Sequence, residues 1–234
     1  LLPSRGVEGA VDRYLTRRAA GAVTAARSTA EAPTLAAFAE AQRRATDLKD
    51  ARYATTFGAD GGFAGKLSVA VEALSTGLSR CVSMAFPDPY FSWDSHTDND
   101  ARQSTLWEQL FAGLLDLQLR LATTTGPSGR PLADDVTVVV LSEMGRTPQL
   151  NGGNGKDHWP YTGAVLFGAG IRGDRQIGDM NENFQGLEVD LASGELAAGG
   201  VVPTASHLGA TLLATADVDP AEWVPGYDPI GALV

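Results

Sequence analysis

Three short polar clusters interrupt the hydrophobic runs of this chain: Trp93-Asp94-Ser95-His96, Ser142-Glu143-Met144-Gly145-Arg146-Thr147-Pro148 and Lys156-Asp157-His158-Trp159-Pro160. They hold two of the three histidines, three carboxylates, an arginine and a lysine. Imidazole and carboxylate donors without a thiolate suit a hard or borderline divalent cation such as zinc, calcium, magnesium or manganese. The clusters are far apart in sequence, so only the fold can unite them.

Asp94 and His96 stand two apart. In an extended segment they would point the same way, and one ion could take both; otherwise Asp94 caps the following helix and His96 lies on the surface. Glu143 sits at the mouth of a strongly apolar run, where a carboxylate must be paired or ligate a metal. It is either an ion-pair partner of Arg146, fixing the turn, or a metal ligand or base beside an Arg146 that clamps an anion. Asp157 adjoins His158 and either orients an imidazole or joins a metal. Candidate metal residues are therefore Asp94, His96, His158, Glu143 and Asp157. Candidate catalytic residues are Glu143, Arg146 and Lys156. His207 reads as a surface or capping residue, and Asp179, Asp190, Asp217 and Asp219 as turn and cap residues. Ser142 lacks the G-x-S-x-G surroundings of a hydrolase nucleophile elbow, which argues against a serine triad.

Helical spacing predicts helices over 6–30, 35–51, 63–78 and 100–122. Asp60-Gly61-Gly62 precedes the third, and Pro33-Thr34 supplies a break and cap before the second. The fourth carries Leu106, Leu110, Leu114, Leu117 and Leu121 on one side. Arg80 to Phe86 is a short β-capable run stopped by Pro87-Asp88-Pro89, and Cys81 within it reads as a small buried hydrophobe. Val136 to Leu141 is continuously apolar, as in a central parallel strand covered on both faces. Ala164 to Phe167 is another strand, residues 185–202 read as loop and short hairpin, and Ser206 to Ala216 is a last helix. Strands alternating with long helices predict an α/β fold, a mostly parallel sheet with helices on both faces. Ligand sites in such sheets lie beyond the carboxyl ends of the strands. Asp94, His96 and Glu143 would then share a crevice, with the flexible loop Asn151-Gly152-Gly153-Asn154-Gly155 folding Asp157 and His158 back over it. The whole chain reads as one domain, with a mainly helical segment over 1–78 and the sheet core over 79–234.

The net charge of −10 argues against nucleic acid as a partner. The charge is uneven: residues 1–52 carry 9 Lys+Arg against 6 Asp+Glu, a net of +3, so the remainder carries −13. That acidic excess marks either a cation site or a solvated surface. A single cysteine excludes an intrachain disulfide and a thiolate metal cage. No stretch approaches the ~20 apolar residues of a membrane span. The chain opens on Leu1-Leu2-Pro3, without an initiator Met or a signal pattern.

The run V-V-V-L-S-E-M-G-R-T-P (138–148), followed by G-K-D-H-W-P (155–160) and preceded by S-W-D-S-H-T-D-N (92–99), resembles the bacterial family catalogued as domain of unknown function 1501. The resemblance extends from about residue 5 to the C-terminus, though the helical first third matches only in general character. It implies the alkaline phosphatase and sulfatase superfamily: a large, mostly parallel sheet between helices, hydrolysing phosphate or sulfate esters with one or two metal ions. It also implies an extracytoplasmic location. Where that superfamily has Ser-Asp-His-Gly at its second metal, this chain has Ser142-Glu143-Met144-Gly145. Glu143 can replace the Asp, but the Met144 thioether cannot replace the His for such an ion. Asp94, His96 and His158 fit the places of the superfamily's first metal, so one site is expected rather than two.

The superfamily's nucleophile and first metal-binding Asp come from an N-terminal segment holding the first strand. Residues 1–80 contain no such motif, so the chain reads as the C-terminal portion of an alkaline-phosphatase-like domain lacking its first strands. The expected function is metal-dependent hydrolysis of phosphate or sulfate esters, an activity that would be lost without that segment. The alternative is a non-catalytic metal-containing protein that binds an anionic glycan or a protein partner.

Overall fold

The computed structural model describes residues 5–25, 28, 31–54, 62–86 and 93–234. The expected Pro87-Asp88-Pro89 stop and the Asp60-Gly61 part of the turn before the third helix lie outside them. The chain divides into two compact units, Leu1–Met84 and Ala85–Val234.

In the first unit the described elements are helices: α1 (Arg5–Thr24), α2 (Glu31–Ala54) and α3 (Phe63–Ser75). Alanine-rich sequence with few β-branched residues favours α2, which packs with α1. Asp12 on α1 is buried and meets Lys49 Nζ of α2 at 2.6 Å, as a buried carboxylate requires. Pro33-Thr34 does not break the chain. Pro33 is the third residue of α2, in the first turn, where the backbone N–H has no intrahelical partner to lose. The Ser28 hydroxyl accepts the Glu31 N–H at 3.1 Å and starts the helix earlier. The run from Arg80 to Phe86 forms no strand, and Cys81 is exposed rather than buried. An apolar run becomes a strand only with a ladder partner, and among the described residues no β-bridge involves this one.

The second unit contains α4 (Asn99–Thr123), β1 (Thr137–Leu141), β2 (Gly145–Arg146), β3 (His158–Trp159), β4 (Ala164–Gly168) and α5 (Ala205–Thr215), with short 3-10 turns at Leu132–Asp134 and Pro220–Glu222. On α4, Leu106, Leu110, Leu117 and Leu121 are buried at helical spacing. Trp107, Phe111, Leu115 and Leu119 form a second, exposed row four residues apart.

The expected sheet is overturned. The described residues hold five α-helices and two two-stranded antiparallel sheets, β1 with β4 and β2 with β3, and no parallel pair. Val139 faces Leu166 in the register of the first sheet. β1 is half-buried rather than covered on both faces, with Leu141 59% and Val165 53% exposed. A continuous apolar run signals a strand, but not the direction of its neighbour. Here the excursion from 142 to 163 brings the chain straight back, and antiparallel pairing follows.

Behind β4, Leu166 packs with Ile177 and Leu191 on Ile230, Ala232 and Leu233. Val189, fully buried, bridges to Leu196 and Val201 and organises the 185–202 segment. Asp190 and Asp219 accept loop and 3-10 N–H groups, as turn and cap residues should. His207 is not a surface residue. It is the third residue of α5, is buried, and accepts the Thr204 N–H on Nδ1 at 3.1 Å, which caps the helix. Thr211, also on α5, is fully buried. Its Oγ1 donates to His207 O at 2.7 Å and accepts the Ile230 N–H at 2.8 Å, tying the C-terminal segment to α5. Thr211→Val keeps the shape and strands the Ile230 N–H. We expect a loss of about 1–3 kcal/mol, read as a lower urea midpoint with an unchanged slope.

Candidate metal centre

Two segments carry the site; side chains anchor the first to α4, and backbone hydrogen bonds join the second to it. The first, 93–99, is anchored to the start of α4. Ser95 is fully buried; its hydroxyl donates to Asn99 Oδ1 at 2.8 Å and accepts from Gln103 Nε2 at 3.1 Å. Gln103 Nε2 also reaches Trp93 O at 3.1 Å, and the Trp93 ring meets Trp107 edge-on at 5.0 Å. The second, 151–159, runs along the first. Lys156 N donates to Ser95 O at 2.9 Å and Asn99 N to Asn154 O at 2.9 Å. At Gly155 a Cβ would lie 1.9 Å from the His96 carbonyl carbon, so only glycine permits the approach. The glycine-rich loop is therefore laced in place rather than serving as a flexible hinge.

β2 and β3 complete the frame. Their register sets Arg146 opposite His158 and Gly145 opposite Trp159. A Cβ at Gly145 would lie 2.0 Å from Tyr161 O, which explains a glycine within this motif.

These segments bring Asp94, His96 and His158 to one point. Asp94 Oδ1 lies 3.1 Å from His96 Nε2 and 3.0 Å from His158 Nε2, and the two Nε2 atoms are 3.2 Å apart. A triangle of this size has its centre about 1.8 Å from each corner, so a point about 1 Å above its plane lies about 2.0–2.1 Å from all three atoms, the bond length of zinc to such donors. All three residues are exposed, so the position opens to solvent.

The hydrogens around the cluster follow from its carboxylates. His96 Nδ1 is 3.1 Å from Asp157 Oδ1. An ionised carboxylate only accepts, so Nδ1 carries the hydrogen and the Nε2 of a neutral ring is a lone pair. That lone pair faces the Asp94 oxygen and His158 Nε2, whose hydrogen goes to the Asp94 carboxylate in the metal-free protein and is the one that a cation at this point would displace. Asp157 lies at the far nitrogen of His96 and orients that ring, the arrangement in which a carboxylate fixes a ligand's tautomer.

Arg146 goes to Asp94 and not to Glu143, which removes the turn-fixing ion pair, one of the two readings the sequence left open. Its Nη2 donates to Asp94 Oδ1 at 2.5 Å and its Nη1 to Lys156 O at 3.2 Å, with the side chain 18% exposed. The arginine hydrogen bond, then that of His158, holds the Asp94 carboxyl down at about 2. Asp157 is also lowered, by Asn151 first and His96 second. Glu143 is exposed; among the described residues its side-chain partner is the Ser142 hydroxyl at 3.3 Å, and it is not one of the three converging groups. Lys156 enters through its backbone, which links both segments.

Sequence reasoning passed over Asn151, Ser95 and Gln103 as parts of the site. Asn151 Nδ2 donates to Asp157 Oδ1 at 3.0 Å and to His96 O at 3.1 Å. An asparagine among glycines is an ordinary turn signal, and nothing in its spacing sets it apart.

The lowered Asp94 gives a pH prediction for the metal-free protein. A carboxyl at 3.8 when unfolded and about 2 when folded adds stability that is present above the first value and disappears as pH falls through the second. In Arg146→Met the main cause is gone, and Asp94 moves back toward 3.8. Denaturation curves between pH 2 and 5 should converge for wild type and variant at the acid end and separate above it. The carboxyl 13C shift of Asp94 should titrate higher in the variant.

The family described as "Protein of unknown function (DUF1501)" matches residues 6–206. No curated protein and no solved structure matches the chain. That match spans all three polar clusters and most of the chain, which belongs to the DUF1501 family.

Proposed function

We propose that this chain is a metal-dependent hydrolase domain acting on phosphate or sulfate esters, with a single divalent cation held by Asp94, His96 and His158. The observation that carries the reading is the convergence of one carboxylate oxygen and two imidazole nitrogens within 3.2 Å of one another. Two imidazoles and one carboxylate suit zinc or manganese better than calcium or magnesium, which prefer oxygen donors throughout. The ester chemistry rests on the likeness of the three motifs to the alkaline phosphatase and sulfatase superfamily, as does the proposed extracytoplasmic location.

Such an ion, when bound, supplies Lewis-acid polarisation of a phosphoryl or sulfuryl oxygen. The protein's own groups do the rest. Asp157 keeps the hydrogen of His96 on Nδ1 and leaves Nε2 free to ligate. Arg146 keeps Asp94 ionised and adds positive charge where an anionic ester would approach, with Lys156 beside it. Glu143 would hold a water or a weaker second ion. Met144 in the neighbouring position favours one strong site over two.

A second reading has its own support. Among the described residues the nearby serine hydroxyls are engaged elsewhere, Ser95 with Asn99 and Ser142 with Glu143. That favours a non-catalytic protein whose metal helps bind an anionic glycan or a protein partner. Titration calorimetry with zinc and manganese, followed by an assay on a phosphomonoester, a phosphodiester and a sulfate ester, separates the readings. We expect about one ion per chain, an affinity at least ~10-fold weaker in His158→Ala, and turnover of one ester class. Failure to bind either ion sinks both readings. Binding without turnover of any ester supports the second.

A further inference from the structure

The Asn151 side chain has four hydrogen-bonding positions, and all are used. Its Nδ2 donates to Asp157 Oδ1 at 3.0 Å and to His96 O at 3.1 Å. Its Oδ1 accepts the N–H groups of Gly153 at 2.9 Å and Gly155 at 3.0 Å. The two halves of this one amide do different things. The oxygen closes the turn that lets Gly155 lie against His96. The nitrogen reaches across to the backbone of one ligand and to the carboxylate that faces that ligand's ring.

Asp157 Oδ1 therefore receives two donors, Asn151 Nδ2 and His96 Nδ1. A carboxylate on an exposed residue has several rotamers open to it, and its hold on an imidazole is only as good as its own orientation. Asn151 is fixed at the turn by two backbone donors, so it can hold that orientation. The chain of contacts runs from the Gly-rich turn through Asn151 and Asp157 to the hydrogen on His96 Nδ1, and so to the lone pair on Nε2.

We infer that Asn151 is a positioning residue of the metal centre: through Asp157 it fixes the Nδ1–H tautomer of His96 and so directs Nε2 to the ion. This rests on the metal reading proposed above, but the tautomer can be read without metal. It also gives the asparagine a task that glycine-loop chemistry alone does not require.

Asn151→Asp separates the two halves of the amide. It keeps an oxygen for the Gly153 and Gly155 N–H groups and removes both donors, placing a carboxylate against Asp157. We expect a melting temperature near that of wild type, a zinc or manganese affinity about 10–100-fold weaker, and a changed His96 ring. In metal-free protein at fixed mildly alkaline pH, the 15N shifts of His96 should show Nδ1–H in wild type and a shift toward Nε2–H in the variant. In an Asp157→Ala background, Asn151→Asp should add little further loss, because the route runs through Asp157. An unchanged tautomer with unchanged affinity overturns the inference, as does a loss that simply adds to that of Asp157→Ala. Should Asn151→Asp fail to fold, Asn151→Ser is read in the same way, because its hydroxyl can accept from the turn but is too short to reach Asp157. If wild type takes up neither ion, the metal reading fails, while the His96 tautomer still decides the role of Asn151.

Discussion

The centre depends on two stretches of backbone lying closer together than side chains would allow. Gly155 rests against the His96 carbonyl, and hydrogen bonds from Lys156 N and Asn99 N fasten the two stretches on either side of it. Asp94 and His96 belong to one stretch and His158 to the other, so the three groups converge only while that contact holds. Each partner in the contact is held from behind. Ser95 and Gln103 bind the first stretch to α4, and the β2–β3 pairing sets the second opposite Arg146.

This contact imposes an electrostatic condition. It draws together a carboxylate oxygen and two imidazole nitrogens, with one hydrogen, on His158 Nε2, shared among them in the metal-free protein. Arg146 supplies positive charge from one side and holds Asp94 ionised. Asp157 takes the hydrogen of His96 on the other side, away from the shared point. What is left between the three ligand atoms is a place for a proton or a cation. An acidic chain of net charge −10 adds a weak, salt-screened preference for the cation.

Much of this was legible from residue types. Asp94, His96 and His158 stand out because an imidazole or carboxylate beside an apolar run needs a reason to be there, and the structure unites them. The leucine row on α4 and the apolar runs of β1 and β4 announce their elements through periodicity. What periodicity does not carry is pairing. β1 is as apolar as a central parallel strand, yet its neighbour β4 runs the other way. Arg80 to Phe86 is as β-capable as many strands, but among the described residues it joins no β-ladder, and Cys81 stays exposed. Pro33 looked like a break because the rule for proline applies to helix interiors, and here it stands in a first turn. For Arg146 the sequence offered the neighbouring Glu143 or a free anion, whereas β2–β3 pairing delivers it to Asp94, 52 residues away. Asn151 was invisible because its work lies in where its amide points.

The most direct test of the metal centre is anomalous diffraction from crystals of this chain grown with zinc or manganese. A single strong peak about 2.0–2.2 Å from a carboxylate oxygen of Asp94, Nε2 of His96 and Nε2 of His158 is the predicted result. A peak at Nδ1 of His96 beside Asp157, or ions bound only elsewhere while these three side chains keep their places, would contradict it.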